Sequence, residues 1–365
     1  MAGTAPVSRE VDLPAPFRDL VRDVDEELAR FLRRQRELMV AGDAGVSRPF
    51  QELERVLASG GKRLRPMFCL VGYRAGEGEW GPQIVRAATA LELLHTFAIV
   101  HDDVMDRSPV RRGEPASWVK LAEDHRREGM RGDGGSYGVA AAVLVGDLAL
   151  TLADQAFLES GFSAARLLPA IARYNRMRAE MVAGQYLDVL AANAGSAGEE
   201  EARRVAVLKS GLYTVEGPLQ IGALLAGVDP GMLALLSRYG VALGEAFQIR
   251  DDVLGVFGDP QVTGKDRDSD LREGKRTVLL ARTLALVSEE ERRFIEDRIG
   301  GRDLSTEDAE RIRSLIEGSG ALASTLELIE ELTERAKAAV DPASVPGEAA
   351  EMLRDMADVL TLRRA

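Results

Sequence analysis

Two groups of carboxylates could do chemistry in this chain. HDDVMD carries Asp102, Asp103 and Asp106; FQIRDD, about 150 residues on, carries Gln248, Asp251 and Asp252. On a helix Asp102 and Asp106 share a face, separated by about 6 Å of rise, with Asp103 about 100° round. Oxygen-only ligands in this number suit Mg²⁺, which takes a few carboxylates and completes its shell with water and substrate phosphates. Gln248 and Asp251, three residues apart, also share a face. The second group lacks a third carboxylate one turn on, because that position is Gly255. Either group alone could be a solvated acidic helix end, although carboxylates at a helix C-terminus oppose the macrodipole. Two apolar helices that each end in Asp-Asp and run into a basic loop can face each other across one cavity and hold a metal cluster.

The cations supply the complement. GGKRLRP sets Lys62, Arg63 and Arg65 behind two glycines, where side chains and backbone N–H groups can meet phosphate. Arg111 and Arg112 follow the first acidic group; Lys265 and Lys275 follow the second. A lone basic pair reads as a solubilising patch. Cations beside both aspartate pairs of a net-acidic chain describe a site for highly anionic phosphate groups.

Other polar residues leave two readings open. Gln185 and Asp188 in VAGQYLD are a buried hydrogen-bonded pair or a cation-binding pair. Lys209 and Ser210 in LKSGLYT sit in an apolar helix, where a lysine can simply snorkel. His95, about two turns before Asp102, could donate to a phosphate or be a satisfied core histidine. No Ser-His-Asp or Cys-His set is present, no G-x-x-x-x-G-K-[ST] occurs, and no βαβ unit is available for a dinucleotide.

These residues need helices to position them. Helical spacing runs from Phe17 to about Val40 and recurs near 50–57, 64–76, 83–106, 138–159, 163–191, 201–226, 230–257, 275–288, 306–316, 320–340 and 347–362. Strict alternation is almost absent, so the pattern predicts an all-α fold. Residues 1–16 read as a disordered segment and 17–365 as one domain, for no linker divides the chain. Two polar stretches, 107–137 and 258–274, follow the aspartate pairs and read as binding loops.

Composition sets outer bounds. The 365 residues are 45% hydrophobic and only 5% aromatic, which fills a core and disfavours a β-sandwich. Lys plus Arg 47 against Asp plus Glu 59 gives −12, a balance that disfavours nucleic acid as a partner. The single cysteine, Cys69, excludes an intrachain disulfide and a zinc–thiolate site and fits a reducing compartment. The N-terminus has no apolar signal region, and Ile84–Val100, interrupted by Arg86, Glu92, His95 and Thr96, reads as a buried helix and not a membrane span. A cytoplasmic protein without a transmembrane segment is expected.

GGKRLRP, LLHTFAIVHDDVMDRSPVRRG, GQYLD, KSGLYT and FQIRDDVLGVFGDPQVTGKD, in this order, resemble the trans-isoprenyl diphosphate synthases, or polyprenyl synthetases. The ordered set spans about residues 60 to 276 and is far more specific than any one motif. The resemblance implies a large single helical bundle around a deep cavity, usually a homodimer. It implies Mg²⁺, three ions with substrate bound, and head-to-tail condensation of isopentenyl diphosphate with an allylic diphosphate. Carried over by motif, Asp102, Asp106 and Asp251 are direct metal ligands, with Asp103 and Asp252 supporting. Lys62, Arg65, His95 and Arg112 match the isopentenyl diphosphate site. Arg111, Lys209, Gln248 and Lys265 match the allylic diphosphate site, with Lys275 closing over it. Ser210 stands where a threonine oxygen usually lies near the developing cation, and keeps that oxygen.

Two departures accompany the match. Gly255 replaces the third aspartate of the second motif, and Trp118 stands where many members have histidine. The resemblance also ties product length to residues just before Asp102. Phe97 is bulky and Ala98 small, a pattern linked to twenty-carbon geranylgeranyl diphosphate, with farnesyl or longer products as alternatives. A class I terpene cyclase would lack GGKRLRP, and a head-to-head synthase would need two DxxxD-like motifs. A non-catalytic prenyltransferase subunit would tend to lose one acidic motif, and both persist here.

Overall fold

A computed structural model describes residues 15–41, 43–194, 198–258, 267–301, 304–341 and 343–361. The segment expected to be disordered lies outside these residues, apart from Ala15 and Pro16, which open the first helix. Lys265 lies outside them as well.

Helices account for nearly all regular structure. The first half contains α1 (Ala15–Val40), α2 (Ser47–Ala58), α3 (Leu64–Ala75), α4 (Pro82–Met105), α5 (Ser117–Arg127), α6 (Gly134–Leu158) and α7 (Ala164–Ala194). Next come α8 (Glu199–Val205), a π-helix (Ala206–Glu216), α9 (Gly217–Ala226) and α10 (Pro230–Phe257). The short helix Ser269–Glu273 and the helices Val278–Leu286, Glu289–Glu296, Thr306–Gly318, Ala321–Ala339 and Gly347–Thr361 complete the chain. The stretch 107–137, read from sequence as a loop, is largely ordered: it holds a small hairpin and all of α5. In SWVKLAEDHRR the few apolar residues are diluted by charge, yet Leu121 and Ala122 still bury against the core.

Apolar burial explains the arrangement. α4 is buried nearly all round from Ile84 to Leu94, as a central helix must be. It packs most extensively on α6. α10 joins two cores: Leu236, Tyr239 and Leu243 belong to the main one, whereas Ala246, Ile249, Val253 and Val256 belong to a second built with the C-terminal helices. The half of α10 that carries the second acidic motif is thereby fixed from behind. The Tyr239 hydroxyl donates to Leu353 O at 2.6 Å and ties α10 to the last helix.

Two helices, α4 and α6, are long and apolar enough to cross a membrane by length and composition alone. α4 is a core helix. α6 is only partly covered, and with α7 it turns Leu144, Leu158, Leu168, Val182, Tyr186 and Leu190 outward, each at least half exposed.

Candidate active site

Both acidic helix ends open onto one cavity of about 3370 Å³. At the end of α4 the Asp106 N–H caps Asp102 O at 2.8 Å, and both side chains line the cavity. Asp103 points elsewhere. It is 3% exposed and accepts from Arg111 Nε at 2.9 Å and Nη2 at 2.5 Å, which leaves Arg111 Nη2 3.5 Å from Asp102 Oδ2.

The hairpin after α4 sets these arginines. Its strands pair Val110 with Pro115 and Arg111 with Glu114. The turn residues Arg112 and Gly113 have φ of 54° and 78°, the left-handed pair that a two-residue turn of this kind requires. Arg111 therefore turns to the aspartates while Arg112 turns to the start of α3, with Nη1 3.4 Å from Ser59 Oγ. Trp118 donates its indole N–H to Ser108 O at 2.9 Å and holds the chain beneath the hairpin.

On α10, Gln248, Asp251 and Asp252 line the same cavity. Gln248 donates from Nε2 to Asp252 Oδ1 at 2.7 Å, so its partner is the residue four on and not Asp251, with which the spacing had paired it. Lys275 binds Asp270 Oδ1 at 3.0 Å and Glu273 Oε2 at 2.8 Å. Glu273 also accepts from Ser108 Oγ at 3.1 Å, so the segment after α10 reaches back to the segment after α4. Asp270 lies directly over Gly255: a Cβ built there would overlap Oδ2 and stand 2.6 Å from Cγ.

Lys209 and Ser210 come from the π-helix, whose i→i+5 pattern is rare and concentrates at functional sites. Lys209 Nζ bonds Asp188 Oδ2 at 2.6 Å and lies 3.4 Å from Asp102 Oδ1. This lysine does not snorkel to solvent, and Asp188 pairs with it while Gln185 Nε2 is left buried without a partner among the described residues. The close approach of α7 requires Gly184, whose Cβ would stand 2.6 Å from Lys209 Cα.

A second group of cations lies deeper. Arg65 donates from Nη2 to Thr214 Oγ1 at 2.8 Å and stacks 4.3 Å over the Tyr213 ring. The Tyr213 hydroxyl is 3.4 Å from His95 Nδ1. Lys62 and Arg112 line the same part of the cavity. Arg63, grouped with these cations by sequence, is instead structural: it is 7% exposed, paired with Asp25 and Glu92 at 2.7 Å each and donating to Leu57 O.

The electrostatics show which charges lack compensation. Burial pushes Asp106 up to about 7, and the neighbouring Asp102 adds to it. Burial, then Asp270 and Asp251, raise Asp252 well above the usual carboxylate range. Asp102 is the exception: burial opposes its ionisation, but Lys209, Arg111 and Lys275 together hold it low. Crowded carboxylates that resist ionising are what a hard divalent cation stabilises, so the donor set fits Mg²⁺. At the other pole, burial lowers the Arg112 guanidinium, and Arg63, Arg111 and Arg65 lower it further against Glu92 alone. Burial and the same arginines depress His95 well below 6.5, so it is a neutral imidazole. One end of the cavity calls for cations and the other for an anion.

Phe97 and Ala98 line the cavity below Asp102. The Phe97 ring packs 4.6 Å from His101, whose Nε2 lies 3.0 Å from Val143 O on α6. Thr214, Asp188, Asp270 and Glu273 belong to the site but escape a motif-by-motif reading. The run DSDLREGK, with two carboxylates ahead of Lys275, was the available signal for the last two.

A helical bundle with paired acidic helix ends above an apolar-walled pocket has the architecture of the isoprenoid synthases. The polyprenyl synthetase family profile matches residues 49–317. A geranylgeranyl diphosphate synthase of Sulfolobus acidocaldarius is 31% identical over 80% of this chain and 81% of its own length. A geranylfarnesyl diphosphate synthase of Aeropyrum pernix is 33% identical over 84% and 92%. Among solved structures, geranylgeranyl pyrophosphate synthase of Corynebacterium glutamicum, complexed with isoprenyl diphosphate and magnesium, superposes with a TM-score of 0.91. It is 37% identical over 94% of this chain and 99% of that chain. The chain belongs to the polyprenyl synthetase family, the prenyl-transferring synthases.

Proposed function

We propose that the protein condenses isopentenyl diphosphate head-to-tail with allylic diphosphates, with geranylgeranyl diphosphate as its main product. The observation that carries this reading is the polarity of the cavity: carboxylates from α4 and α10 at one pole, and an undercompensated cation group at the other. A cyclase, with no isopentenyl diphosphate to hold, has no use for the second pole.

In this reading Asp102, Asp106 and Asp251 hold Mg²⁺, three ions with substrate bound, and Asp252 supports them. Asp103 acts through Arg111, which it orients. Bound magnesium supplies positive charge that stabilises diphosphate as it departs. Lys209, Arg111 and Lys275 add fixed positive charge around that diphosphate, with Gln248 as a further donor. Lys265 completes the set by resemblance alone. As the allylic C–O bond breaks, Ser210 offers an oxygen to the cation. Lys62, Arg65, His95 and Arg112 hold isopentenyl diphosphate so that its double bond attacks C1. A new C–C bond forms, and the proton then lost goes to the released diphosphate.

Phe97, braced by His101, forms the floor that ends growth, with Ala98 leaving room beside it. Relatives named for twenty- and twenty-five-carbon products bracket this reading, and a longer product is its nearest alternative. Residues 17–365 act as one domain. A second copy covers the apolar face of α6 and α7, giving a soluble cytoplasmic homodimer. Incubation with Mg²⁺, isopentenyl diphosphate and each of the five-, ten- and fifteen-carbon allylic diphosphates tests the proposal by product length. No elongation from any primer would overturn it.

A further inference from the structure

Gly255 leaves the second acidic motif one carboxylate short in sequence. The structure assigns that missing carboxylate to Asp270, fifteen positions downstream. Space and charge both point to it. The Asp270 carboxyl occupies the volume that a side chain at position 255 would enter, since a Cβ there would overlap Oδ2 and come within 2.6 Å of Cγ. Asp270 is 5% exposed, lines the cavity, and after burial is the largest influence raising Asp252. Lys275 holds it from the far side at 3.0 Å, and the backbone N–H of Lys275 bonds Asp270 O at 3.2 Å, which closes the turn that carries it.

The acidic face offered to a divalent cation with diphosphate is therefore Asp251, Asp252 and Asp270. Gly255 and Asp270 form a matched pair: the glycine makes the space and the aspartate fills it. Restoring an aspartate at 255 alone would place two carboxyl groups in one volume. This inference rests on the metal-clamp reading above and deepens it.

The test is calorimetric titration of the full chain with Mg²⁺ and inorganic diphosphate, together with thermal unfolding of each variant. Asp270→Asn keeps size and removes charge, and should weaken binding on the order of 10- to 100-fold, as loss of a supporting metal-site group does. Gly255→Asp should also weaken it. The exchange Gly255→Asp with Asp270→Gly should recover binding to within a few-fold of the parent. Asp270→Asn binding like the parent would overturn the inference, as would Gly255→Asp binding as well as or better than the parent. If the parent itself fails to bind, the metal-clamp reading falls instead.

Discussion

Lys209 stands 3.4 Å from Asp102 while it is anchored on Asp188 at 2.6 Å. The ammonium thus spans from the π-helix to the first acidic motif, where a departing diphosphate would be held. Lys209→Ala should lower kcat on the order of 10²–10³-fold, the usual loss for one pre-set donor to developing charge. Steady-state rates at saturating Mg²⁺ measure it. A change confined to KM would show that the lysine binds substrate without favouring ionisation.

Asp251 is the residue on which the two-motif clamp depends. Asp251→Ala should abolish turnover even with Mg²⁺ saturating, while the helical circular dichroism is kept. Undiminished turnover would mean that α4 alone organises the metals.

Product length reports on the cavity floor. Ala98→Phe adds a second ring beside Phe97 and should shift products toward fifteen carbons. Phe97→Ala, which removes the ring packed 4.6 Å from His101, should lengthen them. Chromatography of the dephosphorylated products distinguishes both from an unchanged distribution, which would place the floor elsewhere.

His95 makes stability depend on pH. Its folded pKa lies well below 6.5, lowered by burial and then by Arg65, Arg112 and Arg111. A depressed group contributes stability that is full above the unfolded value and is lost as pH falls toward the folded one. Below 6.5 the unfolded chain takes up a proton that the folded site refuses. His95→Gln removes that penalty, so its melting temperature should gain on the parent's between pH 7.5 and 5.5. A constant difference across that range would contradict the neutral assignment.

The acidic motifs and their helices were legible because apolar periodicity and charge sit in the same few residues. HDDVMD ends α4, and the periodic run over 230–257 coincides with α10. The features that stayed hidden depend on the chain folding back. Arg63 reads like its neighbours Lys62 and Arg65, yet a left-handed backbone (φ 49°) turns it onto Asp25 and Glu92. Helix Glu289–Glu296 is too polar for its period to show, although Phe294 and Ile295 are buried. Spacing paired Gln248 with Asp251, whereas i,i+4 geometry favoured Asp252 equally and the burial of Asp252 decided it.

The π-helix between α8 and α9 fixes the phase between the two ends of a long helical run. A π turn closes one residue later than an α turn, so it changes the angular setting of the residues beyond it. Removing one residue between Ala206 and Lys209 would let the run close as ordinary α-helix. Lys209 and Ser210 would then rotate by about 100°, the angle of one residue in a 3.6-residue turn, and face the core. Along this segment the length of the chain, as much as its composition, carries catalytic information, and a one-residue deletion would silence the site while every motif letter remained in place.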